Sequence, residues 1–254
     1  MRISRRYAAI FALAAAVGLV ATGLAVANTA SDGNVSSVKF IEAPNKAPKT
    51  KFHKGTLTLG TKTVFNPALP ASNGGDTDRV QLWVDDDIKI NPNAAPTCNP
   101  AFSSGTTMAQ AMAACGNAKV GVGRSHSANT AGNIPGCVLV FNGTNKRVIL
   151  FSRLFSSAPL DCANPSSNNG GDISVTLFGK LKHASGDYGT RLDVPNIHAT
   201  VPAPLGDFTA KLKRKSYITA RCHDGNHKWN VKGQHTYTDG VNSVDKVKQS
   251  CKVS

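Results

Sequence analysis

Alternation of apolar and polar residues at every second position is the main pattern along this chain, and it predicts a mainly β protein. Gly55-Thr-Leu-Thr-Leu-Gly60 and Arg79-Val-Gln-Leu-Trp-Val84 each place their aliphatic residues on one face, Val80, Leu82 and Val84 in the second. Asp85 to Asp87 reads as a turn and Ile88-Lys-Ile90 as the returning strand. Lys119-Val-Gly-Val-Gly123 is a strand of small residues, which predicts close approach of another backbone. Ser125 to Pro135 reads as a polar loop. Cys137 to Phe141 and Arg147 to Phe155 are apolar strands joined through Asn142-Gly-Thr-Asn145, a hairpin turn. Ile173 to Leu177, Arg191 to Val194, Phe208 to Arg214 and Tyr217 to Cys222 follow. Trp229 to Tyr237 is read as pairing back across Asp224-Gly-Asn226, with a last strand through Val244 and Val247 to Cys251. Proline clusters at Pro67 and Pro70, at Pro92, Pro96 and Pro100, and at Pro195, Pro202 and Pro204 mark the stretches that no sheet can include.

One stretch has a different period. Thr106 to Ala114 reads as a short helix: within Thr107 to Cys115, Met108, Met112 and Cys115 fall at i, i+4 and i+7, one face of it. Ser103, Ser104, Thr106 and Thr107 offer N-caps, Gly116 offers the stop, and Cys98 and Cys115 flank the element. About ten short strands with Gly, Pro and Asn punctuation and one helix predict an antiparallel β-sandwich or jelly-roll-like domain.

The N-terminus belongs to a different regime. Three arginines precede an apolar run from Ala8 to Ala27 that ends in Ala25-Val-Ala27, the marks of an export signal spanning residues 1–27. The run is also long enough to be kept as an anchor, and Ser4-Arg5-Arg6 hints at twin-arginine export. Residues 28–54 hold five lysines, Pro44 and Pro48 with few large apolar groups, and read as a flexible basic tail. Residues 55–254 then form a single domain with no membrane span.

Six cysteines, at 98, 115, 137, 162, 222 and 251, all follow the signal. An even count behind an export signal predicts disulfides, and six cysteines allow about 15 pairings. Pairing of nearest neighbours, Cys98 with Cys115, Cys137 with Cys162 and Cys222 with Cys251, is the simplest, each bridge contributing on the order of 3 kcal/mol. No C-x-x-C spacing supports a zinc site. The pieces Pro96-Thr-Cys98, Ala113-Ala-Cys115-Gly-Asn-Ala-Lys-Val-Gly-Val-Gly123, Pro202-Ala-Pro-Leu-Gly-Asp-Phe208, Thr236-Tyr-Thr-Asp-Gly240 and Cys251-Lys-Val together resemble a group of secreted actinobacterial β-rich proteins with paired cysteines. That group has no assigned activity, so the resemblance implies export and fold and no catalytic residue.

The formal charge of +14 falls by three to +11 without Arg2, Arg5 and Arg6. Residues 31–62 carry six Lys/Arg against two acids, 63–179 seven against seven, and 180–254 thirteen against six, so the excess lies at the two ends. Outside a cell such a surface meets anionic wall polymers or acidic polysaccharide, lipid headgroups or free DNA. Lys211, Lys213, Arg214, Lys215, Arg221, Lys228 and Lys232, interleaved with Tyr217, Trp229 and Tyr237, outline a face that would pair with a polyanion. The alternative arrangement turns those aromatics inward and leaves the lysines solvated.

Catalytic patterns are poor. Glu42 is the only glutamate, so a paired-carboxylate glycosidase would need two aspartates. Asp76, Asp78, Asp85, Asp86 and Asp87 are the densest supply and suggest Ca²⁺, but lack the D-x-D-x-D-G spacing; on a strand Asp85 and Asp87 converge and Asp86 does not. Gly123-Arg-Ser125-His126-Ser127 lacks the second glycine of a nucleophile elbow, and a strand would point His126 away from Ser125. His223 and His227, with Asp224 or His235, could flank one ion across a turn. The reading is an exported, non-enzymatic structural or binding module, secreted or wall-associated, that needs no cofactor. Its expected partner is an anionic wall polymer or extracellular polysaccharide, with no specific nucleic acid. The alternative is a secreted hydrolase with a pocket built from at least two of Asp85, Asp87, His126, His223 and His227.

Overall fold

The computed structural model describes residues 28–29, 34–64, 76–129, 132–156, 161–162, 164, 171, 173–201, 204–223 and 227–254. The expected signal at 1–27, the loop at 65–75 and the turn at 224–226 lie outside the described residues. The described chain enters through β1 (Asn28–Thr29) and β2 (Val35–Ala43), passes β3 (Lys46–Ala47) and β4 (His53–Lys54), and returns along β5 (Thr56–Val64). β6 (Thr77–Asp85) and β7 (Ile88–Ile90) precede the main helix, α1 (Met108–Cys115). Then come β8 (Lys119–Asn129), β9 (Gly132–Asn142), β10 (Arg147–Leu154), β11 (Ile173–His183) and β12 (Tyr188–Val194). A single helical turn, α2 (Ile197–Thr200), leads to β13 (Leu205–Leu212), β14 (Ile218–Ala220), β15 (Lys228–Tyr237), β16 (Asn242–Ser250) and β17 (Lys252–Val253).

Among the described residues, twelve strands form one antiparallel sheet in the order β1-β2-β5-β13-β8-β9-β10-β11-β12-β6-β15-β16. The predicted mainly β, antiparallel, disulfide-braced fold is present, and its two layers are opposite walls of one continuous sheet. The ends of that sheet meet. Ser36 Oγ on β2 donates to Asp245 Oδ2 on β16 at 2.7 Å and contacts Ser243 Oγ. Further along, the Gln249 amide accepts from Glu42 N at 2.7 Å and donates to Glu42 O at 2.8 Å. Side chains thus replace a backbone ladder across this seam and cover edges that would otherwise recruit other strands. At one end β17 pairs with β3 in parallel, closing the seam by backbone bonds.

Inward-facing residues from all walls make one core, including Val38, Phe40, Leu57, Leu59, Leu82, Val84, Val138, Val140, Trp229 and Val231. A second core lies outside the barrel, where α1 covers β9 and β10. Successive residues of β9 belong to different cores, Val138 and Val140 to the inner one and Leu139 and Phe141 to the outer. This double burial explains why these strands read as continuous apolar runs. Thr107 caps α1 with a full capping box, its Oγ accepting from Gln110 N at 3.2 Å and the Gln110 side chain accepting from Thr107 N at 2.8 Å. Met108 and Cys115 are buried beneath the helix, and Met112 packs against the same cluster. Gly116 is right-handed and passes into a 3-10 turn, so the helix tightens there and does not stop in a left-handed cap.

Several expectations need correction. The described part of the expected tail, residues 28–29 and 34–54, belongs to the fold: β2 pairs with β5 along its whole length and buries Val38, Phe40 and Glu42. β7 does not return along β6; it pairs with β14 in a small sheet, β4-β14-β7. Tyr217 to Cys222 therefore does not pair with Trp229 to Tyr237, whose partners are β6 and β16. Much of the loop expected from Ser125 to Pro135 is strand, because Ser125 and Ser127 turn inward and Ser125 Oγ meets Ser152 Oγ at 2.8 Å. The small residues of β8 do admit a neighbouring backbone: a Cβ on Gly123 would fall against the Thr209 carbonyl. A Gly123→Ala variant is therefore expected to lose about 1–3 kcal/mol; an unchanged urea midpoint would show that β8 and β13 can separate without cost.

The cysteines pair as Cys98–Cys115, Cys137–Cys162 and Cys222–Cys251, with Cα separations of 5.6, 5.1 and 5.9 Å. Among the described residues no helix is long and apolar enough to cross a membrane.

Candidate functional site

Trp83 has the opposite parity to Val80, Leu82 and Val84, so it stands on the outer face of β6. The register on either side sets its neighbours: Arg191 of β12 is opposite Trp83, and so is Lys232 of β15. Lys182 of β11 is opposite Arg191, and Lys246 of β16 is opposite Lys232. One row across five strands therefore reads Lys182, Arg191, Trp83, Lys232, Lys246. Lys232 Nζ lies 3.8 Å from the centre of the Trp83 ring and 5.5 Å from that of Tyr188; Arg191 Cζ lies 5.6 Å from the Trp83 ring. The electron-rich ring faces offset the mutual repulsion of two cations and hold their stems extended along the sheet.

Carboxylates are few around this row. Lys182 Nζ donates to Asp193 Oδ2 at 2.7 Å, and Arg79 grips the same carboxylate through two bonds of 2.7 Å. That bonding, from Arg79 first, brings the Asp193 pKa down to about 2. Arg191, Lys232 and Lys246 have no ion pair among the described residues, and the buried Arg191 Nε has no hydrogen-bond partner among them. Burial, then the charges of Lys246 and Arg191, lower the Lys232 pKa. Like charges are crowded here, and a negative charge placed among them would offset their repulsion. The neighbouring row continues the character, with Arg147 over the Phe178 ring at 5.2 Å and opposite Lys180. A groove of about 490 Å³ lies between Arg147, Phe178, Lys180, Lys182 and Asp193. Gln81, Gln234, Thr236 and Asn242 add amides and a hydroxyl beside the row, Asn242 Oδ1 accepting from both Gln234 Nε2 and Thr236 Oγ1.

Of the seven cations expected to form one face, only Lys232 belongs to this row. Arg214 donates to the Asn117 carbonyl at 2.7 Å. Arg221 donates to Asp87 Oδ1 at 2.6 Å, and its Cζ is 4.9 Å from the Phe52 ring centre. Lys211 is exposed on the outer face of β13, Lys213 and Lys215 follow that strand, and Lys228 opens β15 opposite Ser250. The interleaved aromatics turn inward: Tyr217, Trp229 and Tyr237 are all buried.

The acidic and histidine candidates are dispersed or already engaged. Asp85, Asp86 and Asp87 bring carboxylate oxygens within 4.8 Å of one another, so Asp86 converges with the other two against the strand-parity expectation, because β6 ends at Asp85 and Asp86 and Asp87 lie in a turn; Asp86 is exposed. Asp85 Oδ1 accepts from Asp87 N at 2.9 Å and Oδ2 from Asn230 N at 2.7 Å; Asp87 Oδ2 accepts from His223 N at 2.7 Å. Each of those oxygens clamps a turn, so a cation there would have to displace the fold's own donors. Burial raises the Asp85 pKa to about 6. His126 points outward to Asp207, its Nδ1 2.9 Å from both oxygens, while Ser125 points inward, so Gly123 to Ser127 is a plain strand and not a nucleophile elbow. His235 is fully buried, 3.7 Å from Asp245, and burial lowers its pKa to about 4; it faces the core, not a site shared with His223 and His227.

Sequence reasoning missed Trp83, Arg191 and Lys246. The parity of Trp83 was the available signal; the register that gathers its neighbours is not local. Comparison of the sequence with protein-family models and with curated proteins gives no match to either.

Proposed function

We propose that this protein is an exported binding module that holds an anionic wall polymer or extracellular polysaccharide on the outer face of β12, β6, β15 and β16. The observation that carries this reading is the Arg191-Trp83-Lys232-Lys246 row, two cations over one ring with a third beside them, none of the three in an ion pair among the described residues. Preorganised cations offer charge-assisted bonds to carboxylate or sulfate groups. The flanking amides and hydroxyl suit a hydroxyl-rich chain. A single-stranded nucleic acid would instead need open ring faces for its bases, and Lys232 and Arg191 stand over the Trp83 ring. Three disulfides fit an oxidising compartment.

The test is retention on resins bearing polygalacturonate, heparin or neutral dextran, eluted with salt. Retention is expected on the first two, weakening with ionic strength, and absent on dextran. A Trp83→Ala/Lys232→Gln variant is expected to lose about tenfold or more in affinity, as for removal of 1–3 kcal/mol of charge-assisted contact. Equal binding by variant and parent, or equal retention on dextran, would remove the row from the function.

A further inference from the structure

The basic row does not end at β16. The bonds from Ser36 to Asp245 and between Glu42 and Gln249 set β2 parallel to β16, so that Lys39 falls level with Lys246 and Lys248. Lys39 is exposed and faces outward, since its neighbours Val38 and Phe40 face the core. From Lys39 the register runs on through Gly60 of β5 and Thr209 of β13 to Arg124 of β8. Two exposed lysines flank that line, Lys62 on β5 and Lys211 on β13, each two residues away.

Gly60 forms a low point in the line. A Cβ there would lie 2.7 Å from both Thr209 Oγ1 and the Phe208 carbonyl, so the Thr209 hydroxyl occupies the space that a side chain would take. Beside it is a groove of about 280 Å³ lined by Ser37, Lys39, Lys62, Asp207 and Thr209. Its one carboxylate, Asp207, is held by His126. Cations and hydroxyls thus line a groove next to Gly60, in line with the Trp83 row and separated from it by the seam.

Resting on the reading proposed above, we infer that the ligand is a long polyanion that follows the curve of the sheet across the strands, with one part on the Trp83 row and another in the groove beside Gly60. Four ladder spacings and the wider seam separate Lys182 from Lys39, and five ladder spacings and the seam separate Arg191 from Thr209, at least roughly 24 Å and 29 Å along the sheet. A chain of that length bridges β16 to β2, whose contact rests on a few side-chain bonds, and clamps the seam shut. An oligomer too short to leave the Trp83 row gains nothing from the groove.

The experiment measures the affinities of size-fractionated oligogalacturonates, from shorter to longer than this span, for the full chain and for Lys39→Gln/Lys62→Gln. Both lysines are exposed, so the variant is expected to keep its fold, which its thermal midpoint checks. Affinity for the parent is expected to rise at least about tenfold once the oligomer exceeds the span, as for a second tethered contact. The variant is expected to lose that rise and bind short oligomers as the parent does. Long oligomers are also expected to slow amide exchange in β2 and β16. Equal affinity for short and long oligomers, or an intact rise in the variant, would overturn the bridging inference and leave the Trp83 row standing. No binding of any oligomer by the parent would overturn both.

Discussion

A Glu42→Gln variant is expected to be more stable than the parent above neutral pH and equal to it in acid. Glu42 lies inside the barrel wall, where neither carboxyl oxygen has a hydrogen-bond partner among the described residues and a Cβ on Gly55 would fall against Oε1. Burial raises its pKa from 4.5 to about 9. Below the lower value both folded and unfolded chains are protonated at this site and no penalty exists. Between the two values the unfolded chain ionises and the folded one does not, so stability falls as pH rises, and the loss is complete once pH passes the folded pKa. Glutamine has no proton to lose. The shift corresponds to a gain of several kcal/mol for the variant at high pH.

His235 acts with the opposite sign. Its pKa is lowered from 6.5 to about 4 by burial, so it removes stability as pH falls through that window. The comparison is therefore cleanest above 6.5, and urea midpoints at neutral pH and near pH 9 read it directly. Parallel loss of stability in parent and variant across that range would show that another group carries the alkaline sensitivity.

Replacing Cys222 and Cys251 together by serine is expected to cost about 3–4 kcal/mol, from the loop of 29 residues that the bridge closes. Both cysteines are buried. Cys251 follows directly on β16, and Cys251 N donates to the His227 carbonyl while Cys222 N donates to that of Pro48. The bridge thus anchors the end of the strand whose side chains close the seam. Guanidinium unfolding with and without the pair measures the loss. Amide exchange should show β17 and β3 opening first, since their parallel pairing lies next to the bridge. A midpoint unchanged by the double replacement would mean that the side-chain contacts of Ser36 and Gln249 are sufficient to hold the seam.

How far each feature was legible depended on whether its signal was local. The alternation in Arg79 to Val84 and the capped period of α1 are properties of adjacent residues, and both elements are present within a few residues of the expected bounds. The bridges follow nearest-neighbour order because each closes a short excursion, from 17 to 29 residues. The segment Ser36 to Glu42 was harder. Its inward positions are Ser36, Val38, Phe40 and Glu42, two of them polar, and the lysines and prolines after them gave the composition of a tail. Burial of Ser36 makes sense only once Asp245 stands opposite it, 209 residues away, and Gln249, 207 residues away, holds the main chain of Glu42 while its carboxyl has no hydrogen-bond partner among the described residues.

The amino-acid sequence alone determined that this is a disulfide-linked β protein with one capped helix, because side-chain parity, cap chemistry and cysteine spacing act over a few residues. Which strand lies beside which, and therefore that Arg191 and Lys232 flank Trp83 and that Lys39 continues their row, was decided by tertiary structure. Backbone donors and acceptors are alike at every residue. Pairing between distant strands is selected by closing one sheet around one core, and no short stretch of sequence carries that information.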